Sequence, residues 1–307
     1  MLKFIVKRCA LAVPTLLILV TITFFLIQMA PGSPFTSERQ LSPQVLANIK
    51  AMYHMDKPLW QQYLYYLGNL AHGDLGPSFK YADHTVNQLL ASSFPVSLRI
   101  GALAFIAALV LGVAIGTLAA CKQNSLLDYC VMAVAMTGIV LPSFVLAPLL
   151  VLVFSVNLHW LPAGGWNHGH WANVVLPVTA MTIMYMASIA RIQRGSMIEV
   201  LNSHYIRTAR AKGLPWRIII MRHALRPSLL PVVSYLGPAF VGVITGSVVV
   251  ETVFGLPGTG QHFVHGALNR DYSLVLGLTL VIGALTILFT AVVDILYGLI
   301  DPKVRCQ

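Results

Sequence analysis

The sequence predicts an all-α polytopic membrane protein with six transmembrane helices and both termini in the cytosol. Three observations carry that expectation. The chain of 307 residues is 57% hydrophobic and only 10% charged, where a soluble globular protein averages about 25% charged residues. Its apolar residues fall into six runs, each close to the ~20 residues a helix needs to cross ~30 Å of hydrocarbon at ~1.5 Å per residue. Its cations gather in alternate connecting segments, as the positive-inside rule describes.

The six runs are Cys9–Met29, Pro95–Ala120, Tyr129–Val156, Ala172–Ala190, Leu229–Val250 and Leu274–Tyr297. The first follows a charged start and no A-x-A cleavage site follows its apolar stretch, so it is expected as a retained span. Pro14, Pro142, Pro148 and Pro177 lie inside runs, as kinks that membrane helices tolerate when neighbours satisfy the freed carbonyls. Small residues such as Gly112, Ala114 and Gly116, or Gly237, Gly242 and Gly246, permit close helix contact. With the N-terminus inside, the cytosolic side holds Lys3, Lys7, Arg8, Lys122, Lys303, Arg305 and eight cations between Arg191 and Arg226. The outer side holds Arg39, Lys50, Lys57, Lys80, Arg99 and Arg270.

These spans divide the chain into an N-terminal span (1–30), an extracytoplasmic loop or lid (31–94), a five-span core (95–300) with a cytosolic loop at 191–227, and a cytosolic tail (301–307). In the outer loop, Ser42-Pro43 followed by Val45, Leu46, Ile49 and Met52-Tyr53 has helical spacing. Pro58 opens a second, aromatic-rich stretch with Trp60, Tyr63, Leu64 and Leu67.

The segment Arg191–Arg226 sets eight Lys/Arg against one acid, Glu199. Ile198, Leu201, Tyr205 and Ala209 make one helical stripe. Arg207, Arg210 and Lys212 gather at its end, Gly213 follows as a helix-terminating residue, and Pro215 stands two beyond. A second short helix is expected from Pro215 to Leu225, with Pro227 starting the next span. The shape is a projecting elbow with a Gly-Leu-Pro corner. Attraction of its cations to anionic lipid explains their number, but not the corner or the apolar stripes.

The net charge of +10 does not point to nucleic acid, because the cations punctuate apolar spans rather than pave a soluble surface. Cys9, Cys121, Cys130 and Cys306 show no CxxC spacing and suit small apolar fillers. No G-x-x-x-x-G-K-[ST] occurs, so the chain has no phosphate cradle of its own. Gly255-Leu256-Pro257-Gly258-Thr259-Gly260 contains no Lys and reads as a turn. His159, His168 and His170, or His262 and His265, lack the Cys or carboxylate that would complete a metal set. Asp294 and Arg99 are ionisable groups near run ends, where snorkelling is easy. A secondary transporter predicts repeats and mid-membrane charges, and an intramembrane protease needs paired catalytic residues in its spans; neither inventory is present.

Arg207-Thr208-Ala209-Arg210-Ala211-Lys212-Gly213, with Pro227 beyond, resembles the E-A-A-x-x-x-G signature of ABC importer permeases. Arg207 stands where that signature has Glu, a departure the peptide/nickel branch shares. Lys7–Leu16, Ala30–Pro34, Gly73–Ser78, Glu251–Gly258 and Asn269–Tyr272 are similar to segments of that branch, so the resemblance covers nearly the whole chain. It implies a type I ABC importer permease fold in the bacterial inner membrane, serving as the permease subunit of an ATP-driven oligopeptide importer. Dipeptide, glutathione and nickel import are the alternatives.

The implied partners are a second homologous permease, two ATPase subunits, an extracytoplasmic peptide-binding protein and the peptide itself. No cofactor or catalytic residue is expected on this chain, with ATP and Mg used by the partner ATPases. Tyr205, Arg207, Thr208, Ala209, Arg210, Ala211, Lys212, Gly213, Leu214 and Pro215 become the candidate ATPase-coupling loop. Glu251, Phe254, Thr245 and Ser247 become the candidates for an outer gate or pathway.

Overall fold

A computed structural model describes residues 2–29, 56–81, 83–245 and 247–300, with backbone only for residues 2–9, 244, 245, 247, 294 and 296–300. The helix expected at Ser42–Tyr53 and the tail 301–307 lie outside the described residues, as do the side chains of Thr245, Ser247 and Asp294. Among the described residues the regular structure is helical, apart from one isolated bridge between Pro77 and Thr85. In chain order the helices are α1 (Leu2–Met29), α2 (Leu59–Ala71), α3 (Val86–Cys121), α4 (Leu126–Val140), α5 (Ser143–Asn157) and α6 (Trp171–Leu201). They continue with α7 (His204–Ala211), α8 (Trp216–Ser228), α9 (Leu230–Thr245), α10 (Ser247–Phe254), α11 (Thr259–Leu268) and α12 (Tyr272–Ile300).

α1, α3, α6 and α12 are each long and apolar enough to cross a membrane. The bent pairs α4–α5 and α8–α9 bring the number to as many as six. The third expected run is bent far more sharply than a kink: α4 and α5 meet at 110°. Leu141 precedes Pro142 and is pushed into extended backbone (φ −84°, ψ 117°), because the proline ring clashes with a helical predecessor. The fifth run also differs. α9 is preceded by α8 at a 51° bend and followed by a separate α10. Pro227 does not start a span but lies within α8, whose preceding turn, Ile219–Ala224, is π-helical. Such widened turns recur where the regular hydrogen-bond ladder is interrupted.

α3 and α6 form the central pair. A Cβ added at Gly112 would stand 2.8 Å from Ile189, and one at Gly116 would stand 2.5 Å from the Ala190 carbonyl. The missing side chains let the two backbones pack directly, as small-residue spacing does in membrane helices. α9 and α12 close over this pair through Phe240 and Phe289, stacked 3.5 Å apart, with Phe105 of α3 edge-on at 5.5 Å from Phe240. These rings join a core that includes Ile100, Met181, Ile189 and Val243.

α2 starts after Pro58, as its aromatic spacing predicts. The chain between α2 and α3 is fixed by polar contacts. Asn87 accepts from the Leu75 amide (2.9 Å) and donates to the Gly73 carbonyl (2.7 Å). Asp271 accepts from Ser78 and from the amides of Lys80 and Leu274. A buried aspartate thus ties residues 78–80 to the first turn of α12, while Leu75 packs on Leu274 and Leu278.

Candidate functional site

Two corners lie at widely separated levels of α3. Ser97 touches one and Ala120 the other, so they are separated by about 34 Å along the helix axis, roughly the thickness of a membrane's hydrocarbon core.

At the basic end, α6 runs on to Leu201, well past the expected span end at Ala190. The expected stripe Ile198–Leu201–Tyr205–Ala209 is not one helix. The chain breaks at Asn202–Ser203 and restarts as α7, with Ser203 extended at its N-cap (ψ 155°). That break rotates the register, so Ile206 rather than Tyr205 is buried, and Tyr205 is 49% exposed. Ile206 and Ala209 pack with Met197, Leu201, Ile219 and Ala224 into a small core seated on Ala120.

The corner itself forms as expected. Gly213 adopts φ +76°, the Leu214 amide donates to the Ala209 carbonyl (3.3 Å), and the Gly213 amide donates to that of Arg210 (2.9 Å). This is the paired hydrogen-bond pattern of a helix ended by a left-handed glycine. Arg207, Thr208, Arg210, Ala211, Lys212, Gly213, Leu214 and Pro215 are exposed. The Arg210 guanidinium lies 4.5 Å over the Trp216 ring across the corner.

Seven of the eight cations in this segment are exposed; Arg194 is half-buried. It donates from Nε to Asp128 Oδ1 (2.7 Å) and from Nη2 to Asp128 Oδ2 (2.6 Å). Asp128 is 1% exposed and also accepts from the Asn124 amide (3.0 Å). Its own amide donates to Ser125, the N-cap of α4. The neighbouring Gln193 is fully buried and donates to Thr117 (3.2 Å) and Ser228 (2.9 Å).

At the opposite end, Glu251 is 1% exposed. One carboxylate oxygen accepts from Ser97 (2.6 Å), and the other accepts from the amides of Gly260 (2.8 Å) and Gln261 (3.3 Å). Ser97 accepts in turn from the Thr259 amide (2.8 Å). The carboxylate therefore caps α11, where free amides and the helix dipole favour an anion. A Cβ at Gly258 would stand 2.3 Å from that carboxylate, so a side chain there would have to displace it. The glycine-rich turn holds an anion, and the anion is the chain's own side chain. Phe254 is 1% exposed in the central core, and its carbonyl accepts from the Gly165 amide (2.7 Å). Burial and the neighbouring His265 push the His262 imidazole below its ordinary value, against an opposing pull from Glu251.

The structure thus gathers the candidate loop residues 205–215 on one elbow and places Glu251 and Phe254 inside the opposite corner, packed rather than facing open space. Arg99 is exposed, with its guanidinium 5.7 Å over Trp166. Among the described residues no three His, Cys, Asp or Glu side chains come together as a metal set. Asp128 and Gln193 were not among the sequence candidates. Asp128 fell just outside the run beginning at Tyr129, although Ser125-x-x-Asp128 is a helix-start signature.

The family model described as Binding-protein-dependent transport system inner membrane component matches residues 112–305, and that described as Binding-prot-dependent transport system membrane comp, N-term matches residues 1–101. The chain is 65% identical to the oligopeptide transport system permease protein OppB of Escherichia coli (strain K12) over 305 residues, 99% of this chain and 100% of that protein. It is 42% identical to the dipeptide transport system permease protein DppB of Bacillus subtilis (strain 168), over 99% of this chain and 98% of that protein. Inward-facing MetNI, a methionine ABC transporter, shares the fold with a TM-score of 0.56 at 20% identity, covering 69% of this chain and 96% of that one.

Proposed function

Because the chain belongs to the family of binding-protein-dependent transport system inner membrane components, we propose that it is the permease subunit of an ATP-driven oligopeptide importer. The reading rests on 65% identity along the full length of an oligopeptide permease. The chain is an inner-membrane transport subunit rather than an enzyme. In the proposed complex it lines half of the path, a second homologous permease lines the other half, and an extracytoplasmic binding protein delivers the peptide. Two ATPase subunits bind ATP and Mg. The elbow, with its exposed corner at Gly213–Pro215 and its apolar footing on the end of α3, receives their movement from the cytosolic side. Closure of the ATPases then shifts helices that are packed as one body.

The test is uptake of labelled tri- to pentapeptides in a strain lacking this chain, with and without the restored gene. Restored uptake of these peptides is expected. Restored uptake of dipeptides alone would replace the reading with dipeptide import, the second assignment, favoured by the 42% identity to a dipeptide permease. The purified chain is expected to hydrolyse no ATP, and turnover without partner subunits would overturn the assignment.

A further inference from the structure

We propose that Gln193 and Arg194 form a polar belt at the base of the elbow that carries its movement into α3, α4 and α8. The proposal deepens the transport reading above and rests on it. The two residues are adjacent on α6, so their side chains leave the helix about 100° apart and reach different neighbours. Arg194 grips Asp128 of α4 through two hydrogen bonds of 2.7 and 2.6 Å. Gln193 spans from Thr117 of α3 to Ser228 of α8 at 3.2 and 2.9 Å. Four elements meet in two successive residues. At the same level α3 has Gly116, where a Cβ would fall 2.8 Å from Gln193 Cβ and 3.0 Å from the Arg194 amide.

Between this belt and the exposed corner, the elbow is held by apolar contacts among Met197, Leu201, Ile206 and Ile219. Apolar contact is non-directional and tolerates sliding, whereas a two-pronged guanidinium–carboxylate pair fixes distance and angle. A force applied at α7 passes along the chain into α6, and among the described residues the first side-chain hydrogen bonds that carry it from α6 sideways into α3, α4 and α8 lie at residues 193 and 194. Asp128 is 1% exposed, and an ionised group so placed is costly unless paired. A stability role alone would be met as well by apolar residues. Asp128 also anchors the first turn of α4 through Ser125 and the Asn124 amide, so the linkage reaches the helix that leads into the 110° bend.

The test is a reconstituted complex of this chain, its partner permease, the ATPases and the binding protein in liposomes, read as peptide taken up per ATP hydrolysed. Asp128→Asn with Arg194→Gln removes both charges together and leaves no unpaired one. The complex is expected to assemble and hydrolyse ATP while uptake per ATP falls about tenfold, within the roughly 5–150-fold range of coupling between sites. Each single variant, which strands a charge, is expected to assemble less well than the double. An assembled double variant with the wild-type ratio would overturn the proposal. Should the double variant not assemble, Gln193→Met, which keeps the ion pair, decides. A severalfold lower ratio supports the belt and an unchanged ratio overturns it. If the wild-type complex takes up no peptide at all, the transport reading fails, and the belt's role falls with it.

Discussion

Gly213-Leu214-Pro215 and Gly255-Leu256-Pro257 are the same tripeptide at opposite ends of the molecule, and they fold the same way. Each glycine is left-handed, at φ +76° and +60°. Each leucine amide reaches back five residues, Leu214 to Ala209 at 3.3 Å and Leu256 to Glu251 at 2.8 Å. Glycine and proline are exposed in both turns, and the leucines differ. Leu214 is 36% exposed and Leu256 fully buried. The residue that each leucine reaches makes the difference. Ala209 offers only a methyl to the elbow's small core, whereas Glu251 sends a carboxylate into the amides of the helix that follows the turn. The local code sets the corner; the flanking side chains decide whether it projects as a handle or closes as a bolt.

The largest separation between the corners should come from removing that carboxylate. Glu251→Ala leaves the Ser97 hydroxyl and the Gly260 and Gln261 amides without their acceptor. At ~1–3 kcal/mol for each stranded buried donor, a loss of about 4 kcal/mol is expected, read as a lowered melting midpoint of the purified chain. A melting midpoint unchanged from wild type would show that Glu251 does not hold the bolt shut. The two leucines come next. Leu256→Ala should cost about 3 kcal/mol, as cavity-forming changes in cores do. Leu214→Ala should stay within ~0.5 kcal/mol, as surface changes do. Comparable losses at both positions would break the distinction between handle and bolt.

Both corners were legible in the sequence because Gly followed closely by Pro is a local signal that needs no partner. The length of α6 was not legible. Gln193 and Arg194 end the apolar run, so the helical stripe from Ile198 reads as a separate helix, whereas the structure continues the span through it to Leu201, with Met197 and Leu201 packed against Ala120. Asn202-Ser203 marks the true break, since Ser203 takes the extended N-cap conformation, but the apolar stripe on either side reads as continuous. Glu251 stood out as an acid at the end of a run and was expected near an outer pathway. That it meets Ser97, a residue 154 positions away, is a tertiary fact with no local trace. Gly258 and Gly260 leave room for the carboxylate so placed, since a Cβ at either would stand within 3 Å of it. The 110° bend was half legible: Pro142 was visible as a perturbation, but whether it kinks or breaks a helix depends on what the two halves pack against.

The glycines offer a sharper test of the claim that the turns are equivalent. Nothing lies within 4 Å of a Cβ built at Gly213 or at Gly255, so Gly→Ala at either position meets no clash and costs only the left-handed backbone. That cost is about 1 kcal/mol, and it should be the same at Gly255, which is exposed beside the buried Leu256, as at Gly213. Two melting midpoints suffice. A buried-corner variant much worse than its exposed counterpart would mean that tertiary packing, not the turn, sets the conformation of Gly255.

The smallest expected effect isolates what keeps the handle rigid. Arg210 lies in the last turn of α7 and Trp216 in the first turn of α8, so their 4.5 Å contact spans the corner that the Gly213 turn makes. Both groups are exposed, where such a contact contributes ~0.5–1 kcal/mol, and Arg210→Ala should barely move the melting midpoint. Its effect should appear in the geometry of the corner instead. Released from the guanidinium, the Trp216 ring gains freedom, and its fluorescence anisotropy in a variant keeping Trp216 as the sole tryptophan should fall. Arg210→Lys keeps the charge but loses the planar face that stacks, so it should fall part of the way. If Arg210→Ala leaves the anisotropy unchanged, the backbone hydrogen bonds of the turn alone hold the elbow's shape. The exposed corner would then be as self-sufficient as the buried one, despite lacking an internal anion.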